Sequence, residues 1–224
     1  MPLIELENIR FAYSPEEQPV LRGLSMSVEA GACVALRGDN GAGKTTLFRI
    51  LNGLSFPQSG RYLFDDTEIT HGLLKKQGEA KRFHQRMGYL FQNPDVMLFN
   101  ATVRDEIGFG PRQLGLPAAE AEARIRDCMA LFELELLADK APYHLSGGQK
   151  KQVAFAAVLA LNPEVLILDE PLAGLDRKTR ERLLALLAEL RAAGKTLLIA
   201  THDDALCQSL NAQILTLEDG QIRE

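Results

Sequence analysis

The segment with the clearest chemical potential spans residues 38–46 and has the sequence GDNGAGKTT. A short apolar run at residues 33–36 precedes it, and a mostly apolar run at residues 47–51 follows it. Its glycines let backbone amides close around an anion, because no side chains obstruct them. The order of apolar run, glycine segment and apolar run therefore predicts a strand, an anion-binding loop and a helix.

Lys44 lies where this helix is predicted to begin, so the helix points its free amides and the positive end of its dipole at the loop. The lysine adds a full positive charge for terminal phosphates, and the hydroxyl of Thr45 is a suitable Mg²⁺ ligand. The other predicted contacts come from Asn40, Gly41, Ala42, Gly43 and Thr46. The alternative is a glycine turn with an incidental lysine, which the flanking strand and helix disfavour. The segment predicts a site for a nucleoside triphosphate with Mg²⁺.

Two adjacent carboxylates, Asp169 and Glu170, follow the fully apolar run at residues 165–168. One of them can bind Mg²⁺ directly or through water, and the next can orient or deprotonate an attacking water molecule. The alternative is an acidic turn after a buried strand, but the phosphate loop upstream favours a catalytic pair. We therefore expect the bound triphosphate to be cleaved by water.

Gln92 and His202 also follow apolar runs, at residues 87–91 and 197–200. The carboxyl ends of parallel strands lie along one edge of a sheet, so these side chains can converge with the carboxylates and the phosphate loop. Gln92 would then bind metal or water, and His202 would hydrogen-bond a terminal phosphate. Either residue alone is more simply a polar strand end, but the whole set predicts one site.

A second segment suited to an anion, residues 145–149, has the sequence LSGGQ and precedes an apolar helix through residue 161. Ser146 suits an N-cap, and Gly147 and Gly148, followed by Gln149, leave backbone amides exposed. Such a helix start can bind an anion. The residues alone leave open whether the two phosphate-binding segments serve one nucleotide from two different chains.

Alternating patterns at residues 3–13 and 20–28 predict two antiparallel strands in a sheet separate from that of the phosphate strand. Tyr13, at the end of the first, can stack on a purine, although a strand-edge tyrosine is the simpler interpretation of the residues alone. From residue 94 to residue 160 helical patterns dominate, with Thr102 predicted to cap a helix over residues 103–109. A periodic helix over residues 178–192 and a closing hairpin over residues 214–222 complete the chain.

The predicted fold class is therefore α/β. It combines a mostly parallel sheet, an N-terminal antiparallel β-subdomain and an α-helical insertion. We expect a single domain over residues 1–224, with a catalytic core at about 1–93 and 162–224 and a helical subdomain at about 94–161.

Composition limits the possible partners and location. The net charge of −5 lacks the basic footprint of a nucleic-acid-binding protein, so no nucleic-acid partner is expected. Three distant cysteines without a CxxC spacing favour a reduced, cytosolic chain. No apolar run approaches the ~20 residues that a bilayer span needs. The chain is not expected to cross a membrane by itself, although a partner can hold it against one.

Taken together, these motifs resemble the ATP-binding cassette (ABC) family of ATPases over nearly the whole chain. The resemblance implies a P-loop NTPase core with ATP and Mg²⁺ as ligands. It gives an adenine-stacking role to Tyr13, catalytic roles to Lys44, Glu170 and His202, and Mg²⁺-binding roles to Thr45, Gln92 and Asp169. Residues 145–149 match the family signature, and residues 173–176 match its D-loop, with Ala173 where serine is common. Two chains of the family sandwich two ATP molecules, so Ser146 to Gln149 of one subunit would face Lys44 of the other.

Residues 91–117 are similar to the ATPase subunits of energy-coupling factor transporters, which import vitamins and transition-metal ions. Those subunits usually have glutamine where this chain has Met97. The resemblance implies a homodimer, integral membrane partners and a peripheral position on the cytoplasmic face of the inner membrane. Cobalt, nickel, biotin and other vitamins all remain open as cargo.

Two other classes share part of this pattern. A soluble cassette ATPase acting on nucleic acid or ribosomes usually carries long coiled-coil insertions or a duplicated cassette, and this acidic chain has neither. A small-molecule P-loop kinase shares the phosphate loop but has no reason to contain LSGGQ.

Overall fold

The computed structural model describes residues 1–223, which form two β-sheets and their covering helices. The strands are β1 (Ile4–Phe11), β2 (Leu21–Val28), β3 (Cys33–Arg37), β4 (Ser59–Phe64), β5 (Thr67–Glu68), β6 (Met87–Leu90), β7 (Val165–Asp169), β8 (Thr196–Ala200), β9 (Gln213–Glu218) and β10 (Gln221–Arg223). The helices are α1 (Lys44–Leu51), α2 (His71–Leu74), α3 (Gln77–Arg86), α4 (Val103–Gln113), α5 (Ala118–Leu131), α6 (Gly147–Leu159), α7 (Arg177–Ala192) and α8 (Asp204–Ser209).

The larger sheet has six strands in the order β10-β9-β3-β8-β7-β6. All neighbours from β9 to β6 are parallel, and β10 closes the edge as an antiparallel hairpin with β9. This confirms the α/β class and the closing hairpin. The carboxyl ends of β3, β6, β7 and β8 therefore lie along one edge of this sheet.

The smaller sheet is antiparallel, with the order β2-β1-β4-β5, and the phosphate strand β3 belongs to the other sheet as predicted. Between β6 and β7 the chain forms α4, α5 and α6 together with short 3₁₀ turns. The division into a core and a helical subdomain at residues 94 and 161 stays a prediction.

Two hydrophobic clusters hold these layers together. The first fills the space between α1 and the two sheets and includes Phe48, Tyr62 and Ile167. The second lies among α4 to α7 and the opposite face of the parallel sheet, with Phe155 and Leu168 among its members. Because both faces of β7 and β8 are covered, their sequences are continuous apolar runs rather than alternating ones.

The helix starts follow the capping residues in the sequence. Thr102 accepts a hydrogen bond from the Asp105 amide at 3.1 Å and caps α4. The prediction that this helix ends near residue 109 is wrong, since α4 continues to Gln113 with Pro111 inside it. Pro111 has no amide hydrogen to donate to the carbonyl of Ile107, so α4 lacks one backbone hydrogen bond in its last turn. Helix α6 ends at Leu159, slightly before the predicted residue 161.

No helix among residues 1–223 combines the length and the apolar character needed to cross a bilayer.

Candidate nucleotide site

A cleft of about 350 Å³ opens at the carboxyl edge of the parallel sheet. The four sets of residues predicted from the ends of the apolar runs meet there, together with Tyr13 and Val20. Its walls are formed by Tyr13, Val20, Asp39, Asn40, Gly41, Gly43, Lys44, Thr45, Thr46, Gln92, Asp169, Glu170 and His202. Most of the predicted site residues therefore share one cavity, whose volume is in the range of small-molecule sites.

The phosphate loop depends on glycine at its two bends. Gly38 has φ +147, and a Cβ there would lie 2.3 Å from the carbonyl oxygen of Leu217. Gly43, with φ +106, is the N-cap of α1, so the free amides of the first turn face the loop. The Lys44 ammonium donates hydrogen bonds to the carbonyls of Gly38 and, at 3.0 Å, Asp39. A flexible cation and a helix N-terminus thus lie together against a backbone that can approach an anion closely.

Thr45 and Asp169 form the part of the cleft suited to a divalent cation. The Thr45 hydroxyl donates to Asp169 Oδ2 at 3.0 Å, and only 3% of Asp169 is exposed. Burial raises the pKa of this carboxyl, while the Thr45 hydrogen bond and the charges of Lys44 and Lys151 oppose the rise. Paired hard oxygen ligands at a buried carboxylate fit Mg²⁺, with Gln92 in the same cleft. Residues 1–223 contain no cluster of three His, Cys, Asp or Glu side chains for a metal, so the remaining ligands would come from phosphates and water.

Glu170 follows directly after β7 and lies at the edge of the cleft, half-buried. Its φ of +47 is unusual for a residue other than glycine. Its amide donates to the carbonyl of Ala200 at 2.9 Å, which joins it to the end of β8. His202 lies just beyond that strand, exposed in the same cleft. The carboxylate and the imidazole are thus positioned by neighbouring strands.

The segment after His202 is fixed by a charged pair. Asp203 caps α8 by accepting from the Leu206 amide at 3.2 Å, and its other carboxylate oxygen accepts from Arg180 of α7. Gln92 is exposed after β6. Beyond it, Met97 contacts the end of this strand, because its sulfur accepts a hydrogen bond from the Phe91 amide at 3.4 Å.

Tyr13 lies at the mouth of the cleft. Its hydroxyl shares a hydrogen bond of 2.9 Å with Thr46 Oγ1, and its ring meets Phe11 edge-on at 5.0 Å. More than half of Tyr13 is exposed (57%), so the ring offers area for stacking. Val20, just before β2, also lines the cleft, although its apolar side chain at the start of a predicted strand gave no indication of this.

The LSGGQ segment forms a helix start as predicted but lies outside this cleft. Ser146 caps α6 by accepting from the Gln149 amide at 3.3 Å, and the Gln149 side chain accepts from the Ser146 amide at 3.0 Å. The amides of Gly147 and Gly148 are in the first turn. Among the described residues, none of 145–149 lines the cleft of the same chain. One chain thus holds two separate segments suited to phosphate.

One residue beside Asp169 and Glu170 was missed. Lys151 is buried, and its ammonium donates to the carbonyls of Glu170 at 2.7 Å and Ala173 at 2.8 Å. A charged residue at helical spacing from Val158 and Phe155, on the apolar side of α6, was the available sequence indication.

Comparison with known proteins decides the family. A family model described as ABC transporter matches residues 21–173. The chain belongs to the ABC transporter family. It is 47% identical over 213 residues to the nickel import ATP-binding protein LarO of Lactiplantibacillus plantarum, covering 95% of this chain and 88% of that protein. It is 40% identical over 220 residues to the energy-coupling factor transporter ATP-binding protein EcfA of Methanothermobacter thermautotrophicus, covering 98% of this chain and 69% of that protein.

A solved structure of an ABC cassette has the same fold. The dimeric post-hydrolysis state of the ATP-binding cassette MJ0796, bound to ADP and Pi, superposes with a TM-score of 0.88 at 28% identity. The match covers 99% of this chain and 97% of that one. The P-loop NTPase fold and the ATP-hydrolysing activity expected of this ABC ATPase are thereby confirmed. The transporter relatives support the transport hypothesis over action on nucleic acid or ribosomes.

Proposed function

We propose that this ABC ATPase powers a membrane importer of the energy-coupling factor type. Its proposed cargo is a transition-metal ion, and nickel is the first candidate. The ATP-hydrolysis part of this proposal rests on one observation. Lys44, the Thr45–Asp169 pair, Glu170 and His202 converge in one cleft. The 47% identity to a nickel import ATP-binding protein supports the choice of cargo.

The proposed chemistry assigns one task to each side of the cleft. The amides at the start of α1 and the Lys44 ammonium hold the terminal phosphates, and Tyr13 stacks on the adenine. Glu170 accepts a proton from the attacking water, and His202 hydrogen-bonds the terminal phosphate. Thr45, Asp169 and Gln92 would hold Mg²⁺, which supplies charge neutralisation for the phosphates. Phosphoryl transfer depends mainly on such positioning and electrostatics, so these groups supply most of the acceleration.

A homodimer is the proposed working form. Ser146 to Gln149 lie outside the cleft of their own chain, and they complete the cleft of a second chain by meeting its nucleotide. The dimeric cassette bound to ADP and Pi supports this arrangement. ATP binding would close the two subunits, and hydrolysis with release would reopen them.

The membrane subunits would follow this motion through the helical segment after Gln92. The chain would then sit peripherally on the cytoplasmic face of the membrane, held there by its partners. The transport names of the relatives support this placement.

Transport by the purified complex tests the proposal. The membrane proteins that co-purify with the chain are placed in vesicles with it, and uptake of radioactive nickel is measured with Mg²⁺ and ATP. We expect ATP-dependent nickel uptake, and none from a complex carrying Glu170→Gln, which retains ATP binding because it removes only the proton acceptor.

Biotin uptake in the same vesicles is the comparison for cargo. Uptake of biotin without nickel would contradict the metal assignment, whereas ATP cleavage with no co-purifying membrane protein would contradict an importer. Full turnover by the Glu170→Gln variant would remove Glu170 from its role.

A further inference from the structure

Lys151 in α6 has almost no contact with water, with 5% of the residue exposed. An ammonium group is strongly hydrated, so its burial is unfavourable unless its donors find acceptors. Its Nζ donates to the carbonyl oxygens of Glu170 at 2.7 Å and Ala173 at 2.8 Å. Among the described residues, no carboxylate oxygen lies within 4.0 Å of this ammonium. A buried charge is therefore satisfied by the backbone of a single turn.

That turn is the one that begins with Glu170. The residue has φ +47 in the left-handed region, where a side chain is strained unless its surroundings hold it. Its amide is held by the Ala200 carbonyl at 2.9 Å, and its carbonyl is held by Lys151. The Ala173 amide reaches the same carbonyl at 3.3 Å. Because the backbone sets the direction of the Cα–Cβ bond, these contacts decide where the Glu170 carboxylate points.

We infer that Lys151 is a positioning residue for Glu170, joining the helix that begins at the LSGGQ segment to the turn that aims the carboxylate. The inference rests on the proposed function, in which Glu170 accepts a proton from the attacking water. Lys151 does not line the cleft, so it makes no direct contact with a bound nucleotide, and its hydrogen bonds reach the cleft through the backbone of Glu170.

This arrangement gives one helix two tasks in a dimer. The start of α6 meets the nucleotide of the partner subunit, and Lys151, in the same helix, orients the carboxylate of its own cleft. A lysine that only stabilised the fold would alter melting temperature without separating turnover from binding. Turnover and binding are therefore the quantities to compare.

Substitution of Lys151 tests the inference in the full-length chain. Lys151→Met removes the donors and keeps an unbranched side chain, and Lys151→Arg keeps the charge and the donors. With Mg²⁺ and ATP, we expect Lys151→Met to lower kcat on the order of 10- to 100-fold, since small misplacements of reacting groups cost this much. Its KM and its equilibrium affinity for ATP should stay within about three-fold. Lys151→Arg should recover part of the lost kcat.

Lys195 offers a matched control. Its ammonium also holds a loop, donating to Oδ1 and to the carbonyl of Asn162 at 2.7 and 3.4 Å, and it lies outside the cleft lining. Lys195→Met should therefore keep wild-type kcat. An equal loss of kcat in this variant would overturn the inference, because loss of any lysine contact with a loop would then have the same effect.

The double variant Lys151→Met with Glu170→Gln tests whether Lys151 acts through Glu170. If Lys151 works through Glu170, the double variant should be no slower than Glu170→Gln alone in single-turnover assays. If the two substitutions instead lowered the single-turnover rate by the product of their separate effects, the inference would be overturned.

A variant that does not fold is replaced by Lys151→Gln, which keeps a neutral donor and should show the same separation of kcat from KM. For either variant, kcat within about two-fold of wild type would overturn the inference. Wild-type protein that fails to cleave ATP would overturn the proposed function and this inference with it. An active wild type beside an equally active Lys151 variant would overturn the inference alone.

Discussion

Two charged groups of the cleft, the Lys44 ammonium and the Asp169 carboxylate, have protein partners that are weaker than a nucleotide and Mg²⁺ would be. The Lys44 ammonium donates to two loop carbonyls, and within residues 1–223 the buried Asp169 carboxylate accepts from a single hydroxyl, that of Thr45. Phosphate oxygens are stronger acceptors for an ammonium than carbonyls, and a divalent cation neutralises a buried carboxylate. Ligand binding at these residues therefore relieves an electrostatic cost that remains in the folded chain.

This cost predicts that Asp169→Asn stabilises the ligand-free protein at pH 7. Burial raises the folded-state pKa of Asp169 above its unfolded value, so the folded chain binds the proton more tightly. Stability therefore falls as pH rises from the unfolded pKa, about 3.9, to the folded one, and the full cost applies above it. Melting temperatures measured in a chelator should be higher for the variant at pH 7, and the difference should shrink towards pH 4.

Asp105 is a control with the opposite sign. Hydrogen bonds from Thr102 and Arg112 lower its pKa, so its carboxylate adds stability above the unfolded pKa and loses it as pH falls. Asp105→Asn should lower the melting temperature at pH 7. A lower melting temperature for Asp169→Asn as well would show that the Thr45 hydrogen bond outweighs the burial of the charge.

At the scale of elements, the two sheets meet where the hairpin of β9 and β10 packs against β2. The Arg22 amide donates to the Gly220 carbonyl at 2.9 Å across this contact. A Cβ on Gly220 would lie 2.4 Å from the Val20 carbonyl oxygen, and φ there is +75. Both the conformation and the close approach therefore require glycine at this position.

Gly220→Ala should destabilise the chain more than Gly194→Ala does. Gly194 has a similar φ of +83 but open space around it, so that variant carries only the conformational cost, about 1 kcal/mol. The clash at Gly220 adds roughly 1–3 kcal/mol because backbone must move. Urea unfolding measures the difference in the free energy of unfolding between the two variants, provided that their m-values are equal. Equal losses in the two variants would contradict the close contact between the sheets.

The elements that could be predicted are those whose neighbours leave a pattern in the sequence. Strands β7 and β8 are mostly apolar because both faces are covered, so the polar residues that follow the apolar runs indicated where the cleft lies. The extension of α4 through Pro111 was missed, because the rule that proline ends a helix considers only local sequence and not the packing of the helix's buried face. The link from Lys151 was missed because its acceptors are backbone carbonyls in another segment, which every residue type supplies equally.

At the scale of the whole molecule, the feature that bears on the proposed dimer is the separation of the phosphate loop from the LSGGQ segment. Lys44 lines the cleft and Ser146 does not, although both lie at the start of a helix. In a twofold dimer, the LSGGQ segment of each chain would face the phosphate loop of the other, which gives two identical composite sites.

Mixing two inactive variants tests this arrangement. Lys44→Ala and Ser146→Arg should each abolish turnover in their own homodimers. In a mixed dimer, the Ser146→Arg chain supplies Lys44 and the Lys44→Ala chain supplies Ser146, so one composite site is intact. Equal mixing should restore about a quarter of wild-type ATPase activity, because half of randomly paired dimers are mixed and each has one working site.

Each variant incubated alone at the same total concentration is the control. Mixtures that remain inactive, despite exchange of subunits shown by labelled chains, would mean that both segments must act within one chain.

The position of the helical segment in the larger sheet has a mechanical consequence. The chain leaves this sheet at the end of β6 and re-enters it at the start of β7, and these strands are hydrogen-bonded neighbours at its edge. Because the two strands are parallel, these connections lie at opposite ends of the pair, and both are beside the edge of the sheet rather than at its centre. Helices α4 to α6 take part in no strand pairing, so a force that moves them acts on the sheet through the second hydrophobic cluster and the Lys151 hydrogen bonds, while the register of the strands is left unchanged.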